Sequence, residues 1–241
     1  MNLDPNQVPL REACDTGLLA GAVTLVWQRG AVLQVNAIGH RDIGAGLPMS
    51  RDTVFRIASM TKPVTIAAAM TLVDEGRLRL TDPIDRWLPE FAAPRVLLDP
   101  AGSLEATTAA RRALTVVDLM THRCGIGYGF SVPGPIAREY QRLPFGRGPE
   151  AWITALAALP LVDQPGERVT YGHGTDVLGV LLSRIEGKPL PQVLSERIFD
   201  PLGMVDTGFC VSPETRRRAA TMYRIDGDTL RDDAMGPVPI S

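Results

Sequence analysis

Phe55-Arg-Ile-Ala-Ser-Met-Thr-Lys62-Pro63, running into Val64-Thr-Ile-Ala-Ala-Ala-Met-Thr-Leu-Val-Asp-Glu75 and closed by Gly76, is the stretch that decides the fold. Pro63 has no backbone donor and belongs in a first helical turn, which sets a helix start at about Ser59 or Met60. Ala67, Ala68, Ala69, Met70 and Leu72 form helix readily and carry few polar atoms, so this helix is expected to be buried nearly all round. Gly76 is a natural C-cap. Ser59 and Lys62 are three residues apart and share one face at the helix start. A serine hydroxyl is a weak nucleophile that needs a base. A lysine serves as that base when its amine is neutral, which burial and neighbouring positive charge favour. The helix start adds a positive field and free N–H groups able to hold an oxyanion. Ser-x-x-Lys alone recurs by chance, but lysine is scarce here. Of 25 basic residues only Lys62 and Lys188 are lysine. Arginine cannot deprotonate at usable pH, so a lysine in an arginine-rich chain is a pointer to a position needing a titratable amine, although drift alone can also leave two lysines.

Working outward, Gly21–Gln28 and Ala31–Ile38 read as β-branched strands joined by Arg29-Gly30 in a hairpin, after a helix over Gln7–Thr16 ended by Gly17. Leu80–Glu90 reads as a short helix between prolines, and Ala92–Arg112 as a loop. Thr115-Val-Val-Asp118 has capping-box spacing and opens a helix over Val116–His122. Gly125–Gly148, rich in glycine and proline, reads as a long surface loop of the kind that forms lids or pocket walls. Helical periodicity returns over Glu150–Leu159, Thr175–Glu186 and Leu190–Phe199. Ala220–Ile225, Asp226-Gly227 and Thr229–Arg231 form a hairpin, and Arg216-Arg-Arg218 is a solvated basic run.

The 241 residues, 45% hydrophobic and 22% charged, suffice for a core without staples. A net charge of −2 gives no support for nucleic-acid binding. The longest apolar stretch, Gly17–Trp27, is 11 residues, against the roughly 20 of a spanning helix. No secretory signal is legible in Met1–Asn6, so a cytoplasmic, membrane-free protein is expected. Cys14, Cys124 and Cys210 are odd in number and far apart, which leaves zinc and dithiol chemistry without support. His122-x-Cys124 reads as structure rather than as a metal or Ser-His pair, and no Gly-x-Ser-x-Gly elbow occurs.

Four segments carry a resemblance: Phe55–Lys62, Thr121-His-Arg-Cys-Gly125, Pro165-Gly-Glu-Arg-Val-Thr-Tyr171 and Ile198-Phe-Asp-Pro-Leu-Gly-Met-Val-Asp-Thr-Gly-Phe209. They are similar to serine hydrolases of the class C β-lactamase and penicillin-binding-protein-like fold, and most of all resemble the family VIII carboxylesterases. The resemblance runs from about Leu19 to the C-terminus. It implies an α/β (α+β) fold of the β-lactamase/transpeptidase type, with an antiparallel sheet plus a helical domain. Residues 1–58 would be a sheet-side segment, 59–210 mainly helical, and 211–241 a hairpin and tail of one catalytic domain. Ser59 would be the acylated nucleophile, with its own N–H as one oxyanion donor, Lys62 the base, and Tyr171 a partner in proton transfer whose titration belongs to the coupled pair. No cofactor or metal is implied.

Two departures matter. The second motif commonly reads Tyr-x-Asn, and here it is Tyr171-Gly172-His173. Histidine at that place puts lactam turnover in doubt, leans towards esters, and makes His173 a substrate-binding candidate beside Tyr128 and Phe130 of the glycine-rich loop. No Lys-Thr-Gly, His-Thr-Gly or tryptophan-containing third motif follows Tyr171 before Ser241. The chain is therefore expected to be incomplete at its C-terminus, short of sheet strands and of a second oxyanion donor. An apolar edge such as Val23–Trp27 would then favour self-association or a complementing C-terminal polypeptide. The expected activity is cleavage of short-chain esters through an acyl-enzyme. The alternatives are a β-lactamase or D-alanyl peptidase-like enzyme, and an inactive fragment or binding protein.

Overall fold

A computed structural model describes residues 7–227 and 229–233; Met1–Asn6 and the tail 234–241 of the sequence reading lie outside the described residues. The chain forms two compact units. One takes the described residues up to 58 and from 206 onward, and the other takes residues 59–205.

The first unit holds α1 (Gln7–Asp15) and an antiparallel sheet of β1 (Gly21–Gln28), β2 (Ala31–Asp42) and β3 (Leu47–Pro48), in the order β1-β2-β3. The run 21–28, rich in β-branched residues, pairs with 31–39, with an irregularity at Val26/Trp27. Gly39 stands opposite Gly21 at positive φ, where a Cβ would run into the backbone of Ala20 and Gly21. Leu25, Trp27, Val32 and Leu33 are exposed at the hairpin end. The short helix α8 (Pro213–Arg216), N-capped by the Ser212 hydroxyl on the Thr215 N–H at 3.1 Å, leads to the hairpin of β6 (Tyr223–Asp226) and β7 (Thr229–Asp232). Thr221 ties this segment to β2 through the Asp42 carboxylate at 2.8 Å.

The second unit is mainly helical. Its axis is α6 (Gly174–Glu186), whose residues Val177, Leu178, Leu181 and Leu182 are almost fully buried. Against α6 pack α2 (Thr61–Asp74), α3 (Val116–Met120), α5 (Pro149–Ala157) and α7 (Leu190–Leu194), the last running on as a π turn over Ser195–Phe199. Burying each leucine of this axis stabilises the unit by about 1.5–3 kcal/mol. Helix α2 differs from its reading as a helix buried nearly all round. Its buried face is Thr65, Ala68, Ala69 and Leu72, one stripe at helical spacing, whereas Pro63 and Ala67 are exposed. Alanine makes a surface apolar without requiring that it be covered.

The loop reading of 92–112 also needs correction. It contains β4 (Arg95–Leu97) paired with β5 (Thr107–Ala109), with Val96 and Leu97 buried. Strands of three residues are too short to show a period. The long loop 125–148 likewise holds a helix, α4 (Pro135–Gln141), which buries Ile136 and Tyr140 one turn apart. Leu80–Glu90 is two short 3₁₀ turns, Ile84–Arg86 and Pro89–Phe91, instead of one helix. The Thr115/Asp118 capping box is present: Asp118 accepts the Thr115 N–H at 2.9 Å and its hydroxyl at 2.7 Å. Arg112 adds a two-pronged contact to the same carboxylate at 2.6 and 2.9 Å. No helix of the described residues is long and apolar enough to cross a membrane. Cys14, Cys124 and Cys210 are free, and burial pushes the Cys124 thiol up to about 12.

Candidate active site

The packing of α2 on α6 brings the N-terminal ends of two segments together. A 3₁₀ turn, Ala58–Met60, precedes α2 and carries Ser59, and Lys62 follows in the first turn of the helix. Ala58 takes φ +43°, a left-handed conformation uncommon outside glycine, so the chain bends sharply immediately before the serine. Tyr171-Gly172-His173 leads directly into α6. Gly172 is required there, because a Cβ would strike the Ile126 carbonyl oxygen and the backbone of Gly127.

Ser59, Lys62 and Tyr171 converge. The Tyr171 hydroxyl donates to Ser59 Oγ at 2.7 Å, and Lys62 Nζ donates to the same oxygen at 3.2 Å. Lys62 Nζ lies 4.9 Å from the Tyr171 ring centre and 5.3 Å from that of Tyr128. The Ser59 hydrogen bond, then that of Lys62, hold the Tyr171 phenol below the usual tyrosine range. Tyr171 is 39% exposed, so this oxygen cluster opens to solvent. The arrangement can withdraw a proton from Ser59 and return it to a departing group.

The backbone around Tyr171 is fixed by groups that sequence reasoning did not single out. Ser131 Oγ accepts the Tyr128 N–H at 2.8 Å and donates to the Tyr171 carbonyl at 2.6 Å. Thr170 donates its N–H to the His122 carbonyl at 2.7 Å and its hydroxyl to Asp163 at 2.5 Å. The ring of His122 stands 4.8 Å from that of Tyr171. Burial, then the charge of Lys62, push His122 below the usual imidazole range.

Of the substrate-binding candidates, Tyr128 stands edge-on to Tyr171 at 5.5 Å and forms a wall of the site. Phe130 stacks on Tyr128 at 5.1 Å and is 80% exposed. His173 is placed differently from the expectation of a residue lining the pocket. It is buried behind Tyr128 among Tyr140, Phe145 and Trp152, with Nδ1 at 3.1 Å from the Asp176 carboxylate. Its place in sequence beside Tyr171 could not show this, because the turn into α6 points it inward.

A family model described as Beta-lactamase matches residues 11–240. Protein Rv1367c of Mycobacterium tuberculosis strain H37Rv is 65% identical over 238 residues, which are 98% of this chain and 59% of that protein. Esterase EstB of Burkholderia gladioli is 37% identical over 232 residues, covering 92% of this chain and 55% of EstB. Among solved structures, EstCE1, described as a hydrolase with promiscuous acyltransferase activity, superposes with a TM-score of 0.80 at 30% identity over 94% of this chain and 57% of that one. The chain thus spans somewhat more than half the length of the relatives it matches.

Proposed function

This chain belongs to the Beta-lactamase family, and from that premise we propose that it is a serine hydrolase cleaving short-chain carboxylic esters through an acyl-enzyme at Ser59. The observation that carries the reading is the convergence of the Tyr171 hydroxyl and Lys62 Nζ on Ser59 Oγ at 2.7 and 3.2 Å. The name of EstB and the description of EstCE1 support esters and acyl transfer as the chemistry.

In this scheme Ser59 Oγ attacks the ester carbonyl carbon and its proton passes to the Tyr171–Lys62 pair. The carbonyl oxygen becomes an oxyanion held by the Ser59 N–H, one of the donors that a helix start leaves without an intrahelical acceptor. When the intermediate collapses, the bond to the alkoxy oxygen breaks and that oxygen takes the proton back from the pair, leaving as an alcohol. A water molecule, or a second alcohol, then attacks the acyl-enzyme with the same pair as base and regenerates Ser59. The lowered Tyr171 phenol suits this exchange, since a proton shuttle works best when its affinity lies near the working pH. Half-buried Tyr128 and the exposed Phe130 stacked on it offer an apolar wall for the acyl or alcohol group.

The burial of His173 on Asp176 bears on the lactam alternative. At the position that carries the amide side chain of the common Tyr-x-Asn motif, His173 is buried with its Nδ1 on Asp176. Parallel assays with nitrophenyl butyrate and nitrocefin test the proposal. Ester turnover abolished by Ser59→Ala, with nitrocefin left intact, is the expected result. Nitrocefin turnover alone, or neither activity, overturns it.

A further inference from the structure

Asp176 lies in the first turn of α6, and the acyl-transfer scheme makes no use of it. Yet two groups of the site end on one of its oxygens. The Tyr128 hydroxyl donates to Asp176 Oδ2 at 2.8 Å, and His173 Nδ1 lies 3.1 Å from the same atom. His173 is itself clamped by rings, with Tyr128 at 4.2 Å and Trp152 at 5.5 Å, both edge-on. The Tyr128 ring also meets Tyr171 at 5.5 Å and Lys62 Nζ at 5.3 Å. A continuous path of contacts therefore runs from buried His173 through Asp176 and Tyr128 to the two groups that hold Ser59.

Building on the acyl-enzyme function proposed above, we propose that Asp176 is a positioning residue, which fixes the Tyr128 ring against Lys62 and Tyr171 and commits the Tyr128 hydroxyl as a donor, so that Tyr171 is the phenol left to exchange a proton with Ser59. Both tyrosines set their rings at Lys62, but it is the Tyr171 hydroxyl that lies on Ser59 Oγ, while that of Tyr128 lies on Asp176. Their surroundings separate them. Burial, then the charge and hydrogen bond of Asp176, raise the Tyr128 phenol, whereas Ser59 and Lys62 lower that of Tyr171. Divergent environments of this kind mark a division of labour between titratable groups. The titratable groups facing Tyr128 are Asp176, His173, Tyr171 and Lys62, and among them only Asp176 accepts its hydroxyl.

The test uses the 241-residue chain and the variants Asp176→Asn, Asp176→Ala, Tyr128→Phe and the doubles. The first readout is tyrosinate absorbance after a rapid pH jump, which needs no turnover. The chain has four tyrosines, and burial first of all raises both Tyr128 and Tyr140. Asp176→Asn is expected to lower one high-titrating phenol, and to move none in the Tyr128→Phe background. An unchanged titration, or a shift that survives in that background, overturns the proposal. The second readout is the rate at which a fluorophosphonate labels Ser59. Asp176→Ala and Tyr128→Phe should each slow it about tenfold, and the double variant should be no slower than the slower single. Additive slowing, or no slowing in either variant, overturns it. If the unsubstituted chain fails to label at Ser59, the acyl-enzyme reading falls, while the titration still decides whether Asp176 governs Tyr128. Should Asp176→Ala fail to fold, Asp176→Asn and Tyr128→Phe carry both readouts.

Discussion

Replacing Tyr171 by phenylalanine removes one oxygen and almost nothing else. The ring contacts with His122 at 4.8 Å, Tyr128 at 5.5 Å and Lys62 at 4.9 Å depend on the ring and remain available to phenylalanine. The side chain is 39% exposed, so the hydroxyl is not a buried group whose loss leaves partners stranded. Stability is expected to change by no more than about 1 kcal/mol, the worth of an ordinary hydrogen bond. Catalysis loses the donor 2.7 Å from Ser59 Oγ. A positioned general acid–base group contributes about 10²–10⁴-fold, which at about 1.4 kcal/mol per tenfold is about 3–5 kcal/mol of barrier. The assay is kcat/KM for nitrophenyl butyrate across pH, beside a thermal melt. A base form becomes more populated as pH rises, and a lowered phenol reaches it earlier. The parent's kcat/KM should therefore rise with pH along a limb that belongs to the Tyr171–Lys62 pair, and Tyr171→Phe should shift or flatten that limb. A variant that keeps more than about a tenth of kcat/KM with the same pH profile would refute the role given to Tyr171.

Lys62→Arg should lose ester turnover as completely as Lys62→Ala, because arginine keeps its proton; kinetics on the two variants decide whether Lys62 is a base or only a charge. Gly172→Ala should destabilise the second unit by about 1–3 kcal/mol, since its Cβ meets the unyielding Ile126 carbonyl, and a melting curve reads this. Asp118→Asn should flatten the loss of stability in acid. Burial alone would raise this carboxyl, but Arg112, the Thr115 hydroxyl and the Thr115 N–H outweigh burial and leave it below the usual range. Its contribution is therefore full above the unfolded-state pKa of about 4 and is lost as pH falls through the lower folded value, which urea unfolding at stepped acidic pH will show.

Ser59 and Lys62 are marked in the sequence by local signals, whereas Tyr171 is singled out only by the family resemblance of its motif. A proline marks the helix turn, and a rare lysine stands three residues from the serine. The convergence of all three follows from the packing of α2 on α6. The Thr115/Asp118 cap was legible from a local signal too, since both partners lie within one turn. What escaped was long-range or short. Asp176 reads as an ordinary first-turn acid until Tyr128, 48 residues away, places its hydroxyl on it. The inward turn of His173 sets it among four aromatic rings, three from the long segment 125–148 and Trp152 from α5. Helix α4 hides between glycines and prolines that locally argue for a loop, and only the burial of Ile136 and Tyr140 repays the cost of ordering it.

The most direct measurement is peptide mass mapping of the chain after reaction with a fluorophosphonate probe. One adduct is expected, on the Oγ of Ser59, formed by the folded chain and abolished in Lys62→Ala. An adduct on any other serine of a folded sample, or labelling of Ser59 that is indifferent to Lys62 and Tyr171, would contradict the proposed chemistry.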